Sequence, residues 1–124
     1  MLTIRHEQMQ ALQEAMRRQF GARLLEHLRV KFPGNVQDLS DEEMRDLIRK
    51  GIGDSSKYGV INEADVVRYV EFMLILGPEF DSNPKSAWAG EILQTQGMTG
   101  TQKMEKIDAC WFVLNRRGGS RLVS

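Results

Sequence analysis

Large apolar residues recur at steps of three and four along the opening of the chain. Met9, Leu12, Met16, Phe20, Leu24 and Leu28 keep that spacing without a break. The period places them on one side of an α-helix. It predicts a helix from about Ile4 to Lys31, about eight turns long. Gly21 costs this helix roughly 1 kcal/mol relative to alanine. The stripe nevertheless stays in phase beyond it, which favours one helix over two. Phe32-Pro33-Gly34 ends the segment, because proline cannot continue the hydrogen-bond ladder and glycine permits a turn.

Further elements follow at shorter intervals. Ser40 and Glu43 form a capping box, with each side chain matched to the other's backbone N–H. Asp41 and Glu42 sit in the first turn, where the helix dipole favours negative charge. Met44, Leu47, Ile48 and Ile52 give this second helix its buried face. Gly51 and Gly53 weaken its second half, and it is expected to reach Tyr58 and stop at Gly59. Asn62 is the expected cap of a third helix, with Asp65 in the reciprocal position. Val66, Val67, Tyr69, Val70, Phe72, Met73, Leu74 and Leu76 cover most of its circumference, the signature of a central helix. Gly77-Pro78 terminates it. Asn83 before Pro84 starts a short fourth helix, expected to bury Trp88, Ile92 and Leu93. Thr99 and Gln102 make another capping box for a last helix, whose seam is Met104, Ile107, Trp111 and Leu114.

The fold expected is all-α, with about five helices and the long N-terminal helix packed on a compact helical group. Residues 1–117 form a single helical domain, and residues 118–124 a flexible C-terminal tail without periodicity. A chain of 124 residues buries roughly two thirds of its unfolded surface and needs no disulfide or metal to stabilise it. Its single cysteine, Cys110, excludes an intrachain disulfide and suits a reducing cytoplasm. No secretory signal is visible at the start. The most apolar stretch, Val66 to Leu76, carries Arg68 and Glu71 and falls short of a membrane span, which needs ~20 residues.

Seventeen basic and seventeen acidic side chains give zero net charge, which disfavours nucleic-acid binding by a bulk basic surface. Arg17, Arg18, Arg23, Arg29 and Lys31 make the first helix basic in its second half. No aromatic residues interleave with them, so a solvated or docking face fits better than a nucleic-acid site. His6 and His27 lie too far apart on one helix to share a metal, and one cysteine offers little help. Cys110 reads as a small core residue, because a reactive thiolate needs a helix N-terminus or a cationic neighbour. Capping explains most of the carboxylates between Asp38 and Asp46. Asp81 reads as a turn former, and Trp88 and Trp111 as core anchors. No metal, cofactor or catalytic constellation is expected, and the chain is read as a non-enzyme.

Several segments together carry a resemblance. They are Ile4-Arg5-His6-Glu7-Gln8-Met9, His27-Leu28-Arg29-Val30-Lys31-Phe32-Pro33, Tyr58-Gly59-Val60 leading into Asn62-Glu63-Ala64-Asp65-Val66, and Leu76-Gly77-Pro78-Glu79-Phe80-Asp81 followed by Trp88. Over about residues 4 to 112 the chain resembles small helical accessory proteins encoded in bacterial type VI secretion gene clusters, beside spike, PAAR-tip and toxin genes. The resemblance implies a cytoplasmic adaptor, chaperone or co-chaperone in effector loading. Its implied partner is a secretion effector, a PAAR or spike protein, or another adaptor. No catalytic residues come with it.

The binding mode expected is helix-in-groove docking, with Met9, Leu12, Met16 and Phe20 as anchors and Arg17 and Arg18 as rim. Methionine suits an adaptable surface. The same stripe serves equally as the domain's own core or as a homodimer contact. The rival function is an immunity protein that binds and neutralises a toxin; zero net charge weighs against a strongly single-signed surface of that kind.

Overall fold

The computed structural model describes the backbone of residues 6–122 and the side chains of residues 17–116. These residues are all-helical, with no strand among them. The order is α1 (His6–Lys31), α2 (Pro33–Val36), α3 (Asp41–Lys57), α4 (Glu63–Leu76), a 3₁₀ turn (Pro84–Ser86), α5 (Ala87–Leu93) and α6 (Gly100–Leu122). The chain divides into two compact units, Met1–Arg49 and Lys50–Ser124. No helix among the described residues is long and apolar enough to cross a membrane.

The first unit holds α1, α2 and α3 up to Arg49. In the described part of α1 the apolar stripe is buried, with Phe20, Leu24 and Leu28 at 8%, 2% and 0% exposure. Val36, Met44 and Ile48 are buried as well. The α1 backbone runs through Gly21 without interruption. A Cβ at Gly21 would meet the Ile48 side chain at an ordinary 3.8 Å. Pro33 ends one helix and opens the next. It cannot serve the ladder of α1, yet its missing N–H costs nothing in the first turn of α2. That short helix is one more than the pattern predicted.

Arg29 ties this unit together. Its guanidinium donates to the carbonyls of Val36 at 3.1 Å and Leu39 at 2.9 Å, and to Asp41 at 2.7 Å. It therefore satisfies carbonyls at the end of α2 and in the α2–α3 connection while pairing with the first residue of α3. The expected capping box of α3 forms: the Ser40 N–H donates to Glu43 and the Glu43 N–H to the Ser40 hydroxyl, at 3.0 and 3.1 Å.

The second unit is built on α4. Val66, Tyr69, Val70, Phe72 and Met73 are all buried, as an apolar circumference predicts. An aromatic row runs from Tyr69 to Phe80 (centroids 4.9 Å), Phe80 to Phe72 (6.2 Å) and Phe72 edge-on to Trp111 (6.3 Å). The charged pair inside the same stretch is accommodated locally. Glu71, 2% exposed, accepts from Arg68 at 2.7 Å. Arg68 also donates to Asp108 of α6 at 2.6 Å and lies 4.6 Å from the Phe72 ring centroid. A buried carboxylate needs such a partner.

Gly51 and Gly100 stand at points of close approach between elements. A Cβ on Gly51 would stand 2.6 Å from the Val70 side chain and 2.9 Å from the Met73 sulfur. A Cβ on Gly100 would overlap the Gly59 carbonyl and stand 2.8 Å from the Val60 Cα. The glycine that weakens α3 in isolation is thus the one that lets it press against α4. Gly59 itself adopts φ 77° past the end of α3, a left-handed turn that glycine makes at little cost.

Several local expectations change. Asn62 occupies the cap position of α4, but its side chain makes no capping bond. Its amide instead donates to Asp65 at 3.4 Å and to the Thr101 hydroxyl at 3.2 Å, and that hydroxyl donates to Asp65 at 2.6 Å. The tertiary neighbour α6 has taken over the polar groups. Asn83 caps as expected, accepting from the Lys85 N–H at 2.9 Å, but a 3₁₀ turn precedes α5. Ile92 and Leu93 are buried, while Trp88 is only half-buried. The Thr99–Gln102 box forms, with bonds of 2.9 and 3.1 Å. The backbone of α6 continues to Leu122, past the Arg116-Arg117 at which the pattern placed its end.

Candidate partner-binding surfaces

Of the residues expected to form the docking stripe and its rim, the side chains of Arg17, Arg18 and Phe20 are described. Met9, Leu12 and Met16 lie on its helical backbone, with side chains outside the described residues. Arg17 and Arg18 are exposed, as a rim requires. Phe20 is buried; its ring belongs to the core with Leu24 and Leu28 and offers no open anchor. Arg29, grouped from sequence with the surface cations, is an internal brace. Val30 is the exposed apolar residue of this region, at 83%.

A stronger apolar exposure lies on α6. Its first half is anchored: Met104 and Ile107 are 2% and 0% exposed. Lys103, 8% exposed, donates its ammonium to the Tyr58 carbonyl at 2.9 Å, where a cation complements the C-terminal end of α3. Cys110 and Trp111 are half-buried. From Phe112 to Arg116 every position is exposed, which on a helix means every side. Phe112, Val113 and Leu114 stand at 65%, 52% and 45% exposure.

These three residues stand differently against the seam. Leu114 continues the seam of Ile107 and Trp111 in phase, so it was expected to be buried. It is nevertheless 45% exposed. Phe112 and Val113 lie off the seam, on the outward side, where an amphipathic helix normally carries polar residues. That mismatch was readable in the sequence once Met104, Ile107, Trp111 and Leu114 had defined the seam.

The second unit also gathers polar groups. The Tyr58 hydroxyl donates to Asp81 at 2.7 Å. Burial, then that hydrogen bond and the nearby carboxylate charge, push the phenol up to about 12. Asp54 accepts from Lys50 at 2.8 Å and from Lys57 at 3.3 Å. Burial opposes its ionisation, but the two ammonium groups outweigh this and hold it below the ordinary aspartate range. Tyr69 is 1% exposed, and its hydroxyl is the buried side-chain polar atom without a hydrogen-bond partner among the described residues. Burial pushes its phenol upward too. A phenol held neutral is no nucleophile at neutral pH, and Tyr58–Asp81 acts as a tie between the end of α3 and the α4–α5 connection. Asp81 is thus more than a turn former.

Among the described residues, no group of three or more His, Cys, Asp and Glu side chains is placed to hold a metal ion. Comparisons with protein-family models, with curated proteins and with solved structures find no match.

Proposed function

We propose that this chain is a non-enzymatic, protein-binding accessory factor, an adaptor, chaperone or co-chaperone that serves type VI secretion effector loading in the bacterial cytoplasm. The observation that supports binding is the distal part of α6, which exposes Phe112, Val113 and Leu114 on successive sides of a helix. Fully burying a side chain of this kind contributes roughly 1.5–3 kcal/mol. An aromatic anchor flanked by aliphatic residues suits the apolar groove of a protein. The secretion setting comes from the sequence resemblance over residues 4 to 112. The partner proposed is an effector, a PAAR or spike protein, or another adaptor.

The test is affinity purification of the tagged chain from its native bacterium, in parallel with a Phe112→Ser/Leu114→Ser variant. Stoichiometric recovery of a secretion component with the parent chain and its loss with the variant is the expected result. Recovery of a toxin that the chain silences would replace this reading with the immunity role. Equal recovery by both proteins would remove α6 from the interface.

A further inference from the structure

The outward face of α6 is self-complementary. Glu105, Ala109, Phe112 and Arg116 fall within about 60° of arc on one side of the helix. All four are exposed. The stripe lies opposite Lys103, Met104 and Ile107, which are buried, so it points away from the body of its unit. Val113 flanks it, also exposed. Its order is acid, small, large, base, and the acid and base are three turns, about 16 Å, apart.

That order is what an antiparallel pair of identical helices needs. In a two-fold contact each residue meets the counterpart of its own partner residue. With the axis level with Cys110 and Trp111, Glu105 stands level with the partner's Arg116, and Arg116 with the partner's Glu105. Ala109 stands level with the partner's Phe112, so a small side chain receives a large one on both sides of the axis. A parallel pair would instead set Glu105 against the same glutamate and Arg116 against the same arginine.

We infer that α6 docks, through Glu105, Ala109, Phe112 and Arg116, antiparallel onto the same face of a second copy of this chain. The inference rests on reading distal α6 as a protein-binding surface and names one occupant of its outward side. Leu114, about 160° round the helix from Phe112, stays available to a different partner. A contact three turns long is small beside the roughly 1,200–2,000 Å² of a standard interface. The dimer is therefore weak, and it dissociates on dilution.

The test is sedimentation equilibrium of the full chain over a wide concentration range at low salt, with Glu105→Arg and Arg116→Glu examined alone and mixed. Both positions are exposed, so circular dichroism should be unchanged. The parent chain should dimerise with rising concentration. Each single variant should associate about tenfold more weakly, because both ends of its pair become like-charged. An equimolar mixture should recover parent-like association, since the arginine at position 105 of one chain then faces the glutamate at position 116 of the other. A parent chain that stays monomeric throughout, single variants that associate as well as the parent, or a mixture that stays weak would each overturn the inference. Capture of a secretion component is scored separately. Its persistence without dimerisation would leave the adaptor reading standing, and dimerisation without capture would do the reverse.

Discussion

The two halves of α6 share one helix and one amphipathic period, yet they do opposite things. Up to Ile107 the seam is covered, and the helix is fixed by a capping box, a buried lysine and a glycine set against the Gly59–Val60 backbone. From Phe112 to Arg116 the same helix has no covered side. A hydrophobic period thus specifies a face, and packing from other elements decides how much of that face is core. Ile107 and Leu114 are in phase, and one is 0% exposed while the other is 45% exposed.

The sharpest way to break this comparison is to truncate a phenylalanine on each side of it. Phe72, 0% exposed and edge-on to Trp111, should cost about 3–5 kcal/mol as Phe72→Ala. Phe112→Ala should stay within about 0.5 kcal/mol. Urea unfolding of the two variants measures both; a large loss for Phe112→Ala would mean that the distal helix is core after all.

A smaller effect is expected at the start of α6. Gly100→Ala places a methyl group against the backbone of Gly59 and Val60, which has no rotamer by which to yield. A loss of about 1–3 kcal/mol is expected. Thermal unfolding close to that of the parent would show that the α3–α4 connection moves aside readily.

The two tyrosines sharpen the contrast within the anchored part. Tyr58→Phe removes a bond to Asp81 and should cost about 1 kcal/mol, whereas Tyr69→Phe removes a hydroxyl with no partner and should be neutral or stabilising. The pH dependence has a definite sign. The Tyr58 phenol is raised from 10.0 to about 12 in the folded chain. Its contribution is complete below pH 10 and is lost as pH rises toward 12, because the unfolded phenol ionises first. Melting temperatures across that window should fall more steeply for the parent than for Tyr58→Phe. Parallel curves for the two proteins would show that Tyr58 is not shielded.

The smallest effect belongs to α1. Gly21→Ala meets Ile48 at ordinary contact distance and should gain up to about 1 kcal/mol from helix propensity. A loss of stability in chemical unfolding would indicate a tighter α1–α3 approach at that point.

Much of the fold was legible in the residues. The single long first helix, both capping boxes, the ends of α3 and α4 and the central character of α4 follow from local rules. Each is settled within a few residues, by side chains bonding nearby N–H groups or by steps of three and four. The candidate surface was less legible. Arg29 looked like one surface cation among five until the α2–α3 carbonyls were seen to converge on it. Asn62 had the chemistry of a cap, but Thr101, far away in sequence, drew its amide elsewhere. Gly51 looked like a weakness, because propensity measures a helix in water and takes no account of Val70 lying against it.

The all-α character of the chain, the ends of most helices and the apolar stripe of each are local properties. Those properties depend on backbone sterics, short-range hydrogen bonds and helical period, which act within a turn or two. Packing between elements settled which parts of each stripe are covered. It buried Phe20 and exposed Leu114, made Gly51 and Gly100 points of contact, and left Phe112 and Val113 facing water. Burial depends on which other elements lie against a residue, and those are formed by residues distant in the chain.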